Sequence, residues 1–323
     1  MTVPETYGGA GQDEVGHVLT LMEISRVSAS VGGFLVSNNA LFCFPLLEYG
    51  TEQQKKRYLP LCASGKEAGS FALAGNANPA ALCLIPDPDG QGKVVTGERI
   101  FFPAGFRFGI APSLSQDGKA EGSAILDLKK TAGLSRKGTL ERDGIFFSGI
   151  EEMFFDHVRV RDEDMLAAGD RGESQARALL QEAWMALAAL AAGIGKGSLQ
   201  EVMALAERSR ASGSLSQVVE WTLADSATDL EVAELFVLKA AWLKDHGKSY
   251  EKEAAAAKVF ATEAAVTASC RGLQILGTEP INRRPSLEKR LREAAMCQAY
   301  YGTTEQATSV VADHSMGHGI ARF

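Results

Sequence analysis

Apolar positions recur at helical spacing through the first part of the chain, from about Asp13 to Ser64, with Val18, Leu21, Met22 and Ile24 setting the period. Thr51-Glu52-Gln53-Gln54 predicts the start of a further helix, with Thr51 as its cap. From about Ser70 to Leu166 the period shortens. Glycine and proline become more frequent, and the short runs Gly69–Leu73, Lys93–Phe102, Ser123–Leu128 and Met153–Val160 predict strands. Turns such as Pro86-Asp87-Pro88-Asp89-Gly90 join them. From about Glu173 to Asp313 the helical period returns in alanine- and leucine-rich segments. They centre on 174–208, 216–246, 249–277 and 286–313, which is four helices of bundle length. The pattern divides the chain into a helical domain (1–68), a middle β domain (69–168) and a C-terminal helical bundle (169–323). The fold class is α+β with a barrel-like middle.

Composition narrows this picture. A chain of 323 residues, 46% hydrophobic and 23% charged, holds two or three packed units. A net charge of −7 with no long Lys/Arg run argues against a nucleic-acid surface. Five scattered cysteines (Cys43, Cys62, Cys83, Cys270, Cys297) without CxxC spacing read as reduced thiols in the cytoplasm. His314 and His318 stand four apart beside glycines near the chain end, and read as a frayed tail before a metal site. Met1-Thr2-Val3-Pro4-Glu5 lacks the basic start and apolar run of a signal peptide. No stretch is read as reaching the roughly 20 apolar residues of a membrane span. The alanine-rich run Trp184–Ala192 is assigned to a longer amphipathic helix.

Several separated segments carry a family pattern. Val3-Pro4-Glu5-Thr6-Tyr7-Gly8-Gly9-Ala10-Gly11 opens the chain. Glu23–Ser30, Tyr49-Gly50-Thr51-Glu52-Gln53-Gln54-Lys55, Leu223-Ala224-Asp225, Glu253–Lys258 and Gln274-Ile275-Leu276-Gly277 follow at matching spacing. Together they resemble the acyl-CoA dehydrogenases along essentially the whole chain. That resemblance implies a helical N-terminal domain, a middle β domain and a C-terminal four-helix bundle. It also implies FAD, assembly into dimers or tetramers, and electron delivery to an electron-transfer flavoprotein. Family members begin earlier, so the N-terminal helical domain is expected to be shortened.

The family's chemical positions differ from its packing positions. Tyr300-Tyr301-Gly302-Thr303-Thr304-Glu305 stands where the family carries Tyr-Glu-Gly-Thr-(Ser/Thr)-Glu. In the family that Glu takes the α-proton of an acyl thioester while hydride leaves the β-carbon for the flavin. Here Tyr301 holds the position, and a phenol ordinarily titrates near 10 against about 4.3 for glutamate. Gly302 matches a substrate position, and Thr303 and Glu305 match flavin positions.

Other flavin positions are altered in the same way. In the first flavin segment a hydroxyl has become Ala74, and Ala77 and Pro79 replace glycines. In the second, Phe101 replaces a tryptophan, Phe102 follows it, and Pro103 replaces a threonine. Two aromatics of a buried strand ending at a proline account for that stretch better than a flavin contact does. Gln274 and Gly277 persist from a third flavin segment, but Thr278 and Pro280 replace its next glycines. On the substrate helix, Gln181 and Trp184 stand for an aspartate and an arginine, with Trp184 read as a space-filling side chain. Some relatives place the base on this helix. The matching residue here is Ala183, and Glu182 beside it is turned by about 100°.

Three readings stay open. The chain is a catalytically silent subunit assembled with an active, flavin-bearing homologue; or an active FAD enzyme with an atypical site; or a non-catalytic module that binds an acyl thioester.

Overall fold

The computed structural model describes residues 1–72, 82–87, 92–96, 99–114, 120–140, 149–166, 172–211, 216–277 and 286–317. Two compact units divide the chain. One comprises Met1–Gln12, Phe34–Arg142 and Phe146–Ala183, and the other Asp13–Gly33, Asp143–Ile145 and Trp184–Phe323.

Asp13 opens α1 (Glu14–Val27) by accepting from the Gly16 amide at 2.8 Å. α2 (Ala29–Leu35) passes into a π-helical stretch, Val36–Cys43, whose residues are all buried. α3 (Phe44–Tyr49) follows, then α4 (Glu52–Ala63), which starts with the Thr51 cap expected from sequence, closed into a capping box by Gln54. Gln54 also donates to the Glu163 and Met165 carbonyls at 2.8 and 3.0 Å, tying α4 to the β region.

The strands described are β1 (Gly69–Phe71), β2 (Leu82–Cys83), β3 (Ile85–Pro86), β4 (Lys93–Val95), β5 (Arg99–Pro103) and β6 (Phe108–Leu114). They continue with β7 (Ala120–Asp127), β8 (Leu134–Leu140), β9 (Ile150–Phe155), β10 (Val158–Val160) and β11 (Met165–Leu166). One sheet has the order β1-β6-β7-β11, with β2 also on β6; the others are β10-β4-β3 and β5-β9-β8. Leu82, Val95, Phe102, Leu126, Met153 and Phe155 form the buried centre of this region. A second cluster gathers Phe42, Tyr58 and Phe108. β1 lies against the π-helical stretch because Gly69 has no side chain: a Cβ there would sit 2.1 Å from the Phe42 ring. The Gly69 amide donates to Asn38 Oδ1 at 3.2 Å.

Two predicted strands prove to be pairs. Lys93–Phe102 divides into β4 and β5, and Met153–Val160 divides into β9 and β10 at Asp156-His157, where His157 takes φ 50°. The turn expected at Pro86–Gly90 lies largely outside the described residues, as does the end of the strand expected to reach Leu73.

The C-terminal helices are α5 (Gly172–Ala211), α6 (Gln217–Asp245), α7 (Glu251–Leu276), α8 (Ser286–Ala299) and α9 (Thr304–Met316). Sequence periodicity predicts one helix over 286–313; the backbone breaks it at Tyr300–Thr303. The glycines of Gly193-Ile194-Gly195-Lys196-Gly197 set the packing of α5. A Cβ on Gly193 or Gly197 would lie 2.4 Å from the Met22 carbonyl or 2.3 Å from the Arg26 carbonyl, both on α1. On Gly195 it would lie 2.4 Å from Leu230 of α6 and 3.1 Å from the Ala265 backbone of α7. By length and composition Ala29–Tyr49 and Ser174–Glu207 match membrane spans, contrary to the sequence reading, and both are mostly buried within the protein. His314 pairs with Glu251 at 3.1 Å, while His318 lies outside the described residues.

α1 is pinned to α6 by charge. Asp245 accepts from the Glu14 and Val15 amides at 2.8 and 3.1 Å, acting as a second cap on α1. The buried Glu14 carboxylate meets His17 Nδ1 and Lys244 Nζ, each at 2.7 Å. Burial alone would raise the Glu14 pKa, but the His17 hydrogen bond and the Lys244 charge bring it down to about 2. A depressed carboxylate stabilises the fold above its unfolded pKa, and that contribution is lost as pH falls through its folded value. Glu14→Gln is therefore expected to cost about 3 kcal/mol at neutral pH in denaturant titrations. The gap to wild type should narrow between about pH 4.5 and 2. A gap independent of pH would show that the carboxylate charge is not what ties the helices.

Candidate functional site

α8 ends where its backbone leaves the right-handed region. The Tyr300 amide still donates to the Met296 carbonyl at 3.1 Å, but Tyr301 takes φ 51° and Gly302 φ 94°. Glycine adopts such angles freely, whereas a bulky side chain there costs roughly 1–2 kcal/mol. Thr303 returns to extended backbone and caps α9. Its hydroxyl accepts from the Gln306 amide at 3.4 Å, while Gln306 Oε1 accepts from the Thr303 amide at 2.9 Å. The Tyr301 side chain points inward and is 8% exposed.

The carbonyls at this break converge on one cation. Lys258, fully buried on α7, donates from Nζ to the carbonyls of Gln298 at 3.5 Å, Tyr300 at 3.3 Å and Gly302. Burial pulls the Lys258 pKa down to about 8, against the opposing influence of Cys297 and Glu305. Burial also pushes the Cys297 thiol up to about 12, so it is a protonated core group and not a nucleophile. The exposed Glu305 carboxylate is lowered chiefly by its hydrogen bond with Thr303.

Of the positions singled out in the sequence, Tyr301, Gly302, Thr303 and Glu305 share this turn. Gln274 and Gly277 do not: both are exposed at the far end of α7, with Gln274 about 24 Å along the helix from Lys258. On α5, Gln181 is half-buried, whereas Glu182 and Trp184 are almost wholly buried. Trp184 is among the largest fully buried side chains, in keeping with a packing role. Phe101, Phe102 and Pro103 lie on β5 in the first unit, to which Gln181 and Glu182 also belong. Phe102 belongs to the β core, and Phe101 on the opposite face of the strand is partly exposed. Ala74, Ala77, Pro79, Thr278 and Pro280 lie outside the described residues. A groove of about 440 Å³ between α5 and α6, lined by Lys196, Leu199, Met203 and Leu230 among others, includes none of the predicted site residues.

Sequence reasoning gave Lys258 no role of its own. The available signal was a lone lysine closing the alanine run Ala254–Ala257, on a helix face where its neighbours are buried.

Residues 1–66 match the acyl-CoA dehydrogenase N-terminal domain model and residues 170–316 the C-terminal domain model. An acyl-CoA dehydrogenase of Bacillus subtilis is 33% identical across 98% of this chain and 86% of its own length. The human mitochondrial short-chain specific acyl-CoA dehydrogenase is 32% identical, with 97% of this chain and 79% of that protein covered. Butyryl-CoA dehydrogenase from Megasphaera elsdenii superposes with a TM-score of 0.89 at 25% identity, over 98% of this chain and 86% of that one. A chain solved in work on the electron transferring flavoprotein of Acidaminococcus fermentans superposes equally, at 26% identity with the same coverage. The chain belongs to the acyl-CoA dehydrogenase family.

The family implies FAD, and the described residues in segments that resemble its flavin contacts include Pro103, Phe101 and Gln274. Pro103, buried and paired with Ile150, offers neither a hydroxyl nor an N–H where the family's threonine stands. Phe101 keeps an aromatic face but no polar atom. Gln274 remains a polar, exposed side chain.

The Thr303 cap can be tested apart from any chemistry. Thr303→Ala is expected to lower stability by about 1 kcal/mol in urea titrations. An unchanged midpoint would mean that the cap does not hold the start of α9.

Proposed function

We propose that this chain is a catalytically silent acyl-CoA dehydrogenase-like subunit that assembles with an active, flavin-bearing homologue in acyl-CoA α,β-dehydrogenation. The observation that carries this reading is Tyr301: at the position of the family base, a buried phenol replaces the carboxylate. Removing a general base commonly lowers a rate by about 10²–10⁴. Pro103 and the substituted glycines of the flavin segments weaken the case for an electron acceptor held by this chain alone. Assembly is supported by apolar side chains left exposed along α6, where Val218 is 66%, Trp221 61% and Leu235 64% exposed. Trp221, Leu235 and Trp242 recur at multiples of seven residues and so share one face. Five free cysteines fit a cytoplasmic setting.

The purified chain is expected to be colourless after gel filtration and inactive on straight-chain acyl-CoA with an artificial electron acceptor. Tyr301→Glu should restore neither property, because the flavin contacts are changed as well. Retained stoichiometric FAD, or robust turnover by that single variant, would sink the proposal. Light scattering of natively purified material should give a mass above the 34.4 kDa of one chain, with a yellow homologue present. A monomer without a partner would contradict the assembly.

A second reading, an active FAD enzyme whose base lies on α5, rests on Glu182, a carboxylate 1% exposed next to Ala183, the position that matches the base of some relatives. That reading requires a yellow, active wild type that Glu182→Gln inactivates.

A further inference from the structure

We propose that Lys258 is the positioning residue of the Tyr300–Gly302 turn, its ammonium holding the backbone at the family's base position in a conformation the sequence there does not favour. The geometry is a match of numbers: an ammonium carries three N–H donors and no acceptor, and three carbonyls converge on it. Those carbonyls belong to Gln298, in the last turn of α8, and to Tyr300 and Gly302, which flank the left-handed Tyr301. Helix ends leave such carbonyls without intrahelical partners, and inside the protein they need a donor. Lys258 supplies it from a neighbouring helix, beside the local bond from the Thr304 hydroxyl to the Gln298 carbonyl at 3.3 Å, so the course of the turn depends on α7 as well as on its own residues.

Around the ammonium, α8 contributes the buried Cys297 thiol and α9 the exposed Glu305 carboxylate. α6, which also packs on α7, adds no group that shifts it. A neutral amine has two N–H donors, so loss of the proton leaves at least one of the three carbonyls without its bond. This inference rests on the turn's geometry and not on the silence of the site, so flavin content and turnover do not bear on it.

Amide hydrogen exchange of the full chain, read by mass spectrometry, tests it. In Lys258→Met, amides of residues 300–307 should exchange about tenfold faster while those of α6 stay unchanged. Lys258→Arg, which restores a donor group, should recover most of that protection. In the wild type, protection of the same segment, corrected for the intrinsic rate, should fall as pH rises through about 8. The linkage of Lys258 to global unfolding cannot produce that fall. A lysine whose folded pKa lies below its ordinary 10.5 contributes more stability, not less, as pH rises between the two values. Equal loosening of all helices in Lys258→Met, or wild-type protection at 300–307 that ignores pH, would overturn the proposal. If Lys258→Met does not fold, the wild-type pH series and Lys258→Arg decide it.

Discussion

Backbone-to-backbone contact along one helix sets the geometry of the second unit. Three glycines within five residues of α5 let the carbonyls of α1 approach on one side and the backbone of α7 on the other. A side chain at Gly193 or Gly197 would overlap main-chain carbonyls, which have no rotamer to yield, and one at Gly195 would overlap the Leu230 side chain and press on the Ala265 backbone. Because α7 is fixed at Ala265, Lys258 two helical turns earlier is fixed as well, and with it the donor that the α8–α9 turn requires. The order of dependence runs from glycines, to helix separation, to the direction of one ammonium, to the backbone at Tyr301.

The sequence revealed the elements whose signals are local. Thr51 with Gln54 and the long apolar periods of the C-terminal helices were legible because capping and burial act over one or two turns. The split at Tyr300–Thr303 was not, since every residue from Ser286 to Asp313 except Gly302 tolerates a helix and the break depends on a lysine some forty positions away. The pairs β4/β5 and β9/β10 were missed for a related reason: an apolar run records burial but not the point at which a strand turns. Trp184 and Phe102 are both buried, as their size and hydrophobicity suggest. Lys258 escaped notice because its task is to satisfy main-chain oxygens, and those leave no trace in residue identities.

Packing and chemistry stand apart in this chain. The segments that match the family surround α5, α7 and the α4 cap, where backbone approach and hydrogen-bond closure fix what fits. Tyr301 and Pro103 are both buried in the structure. A fold of this kind keeps its shape when side chains of a site change, because its stability draws on helix contact and not on the site.

The π-helical stretch Val36–Cys43 has a different bearing, on chain length. A π turn is wider than an α turn and holds an additional residue between otherwise ordinary helices. Here that residue is accommodated among buried groups, and the stretch supplies both the Asn38 acceptor for the Gly69 amide and the Phe42 ring against β1. Deleting one residue would run α2 directly into α3 and place Pro45, which has no N–H to donate, in the interior of a single helix. It would also rotate Asn38 and Phe42 relative to each other and strip the first strand of its acceptor. The segment is thus protected against losing a residue both by the sheet beside it and by the proline that follows it.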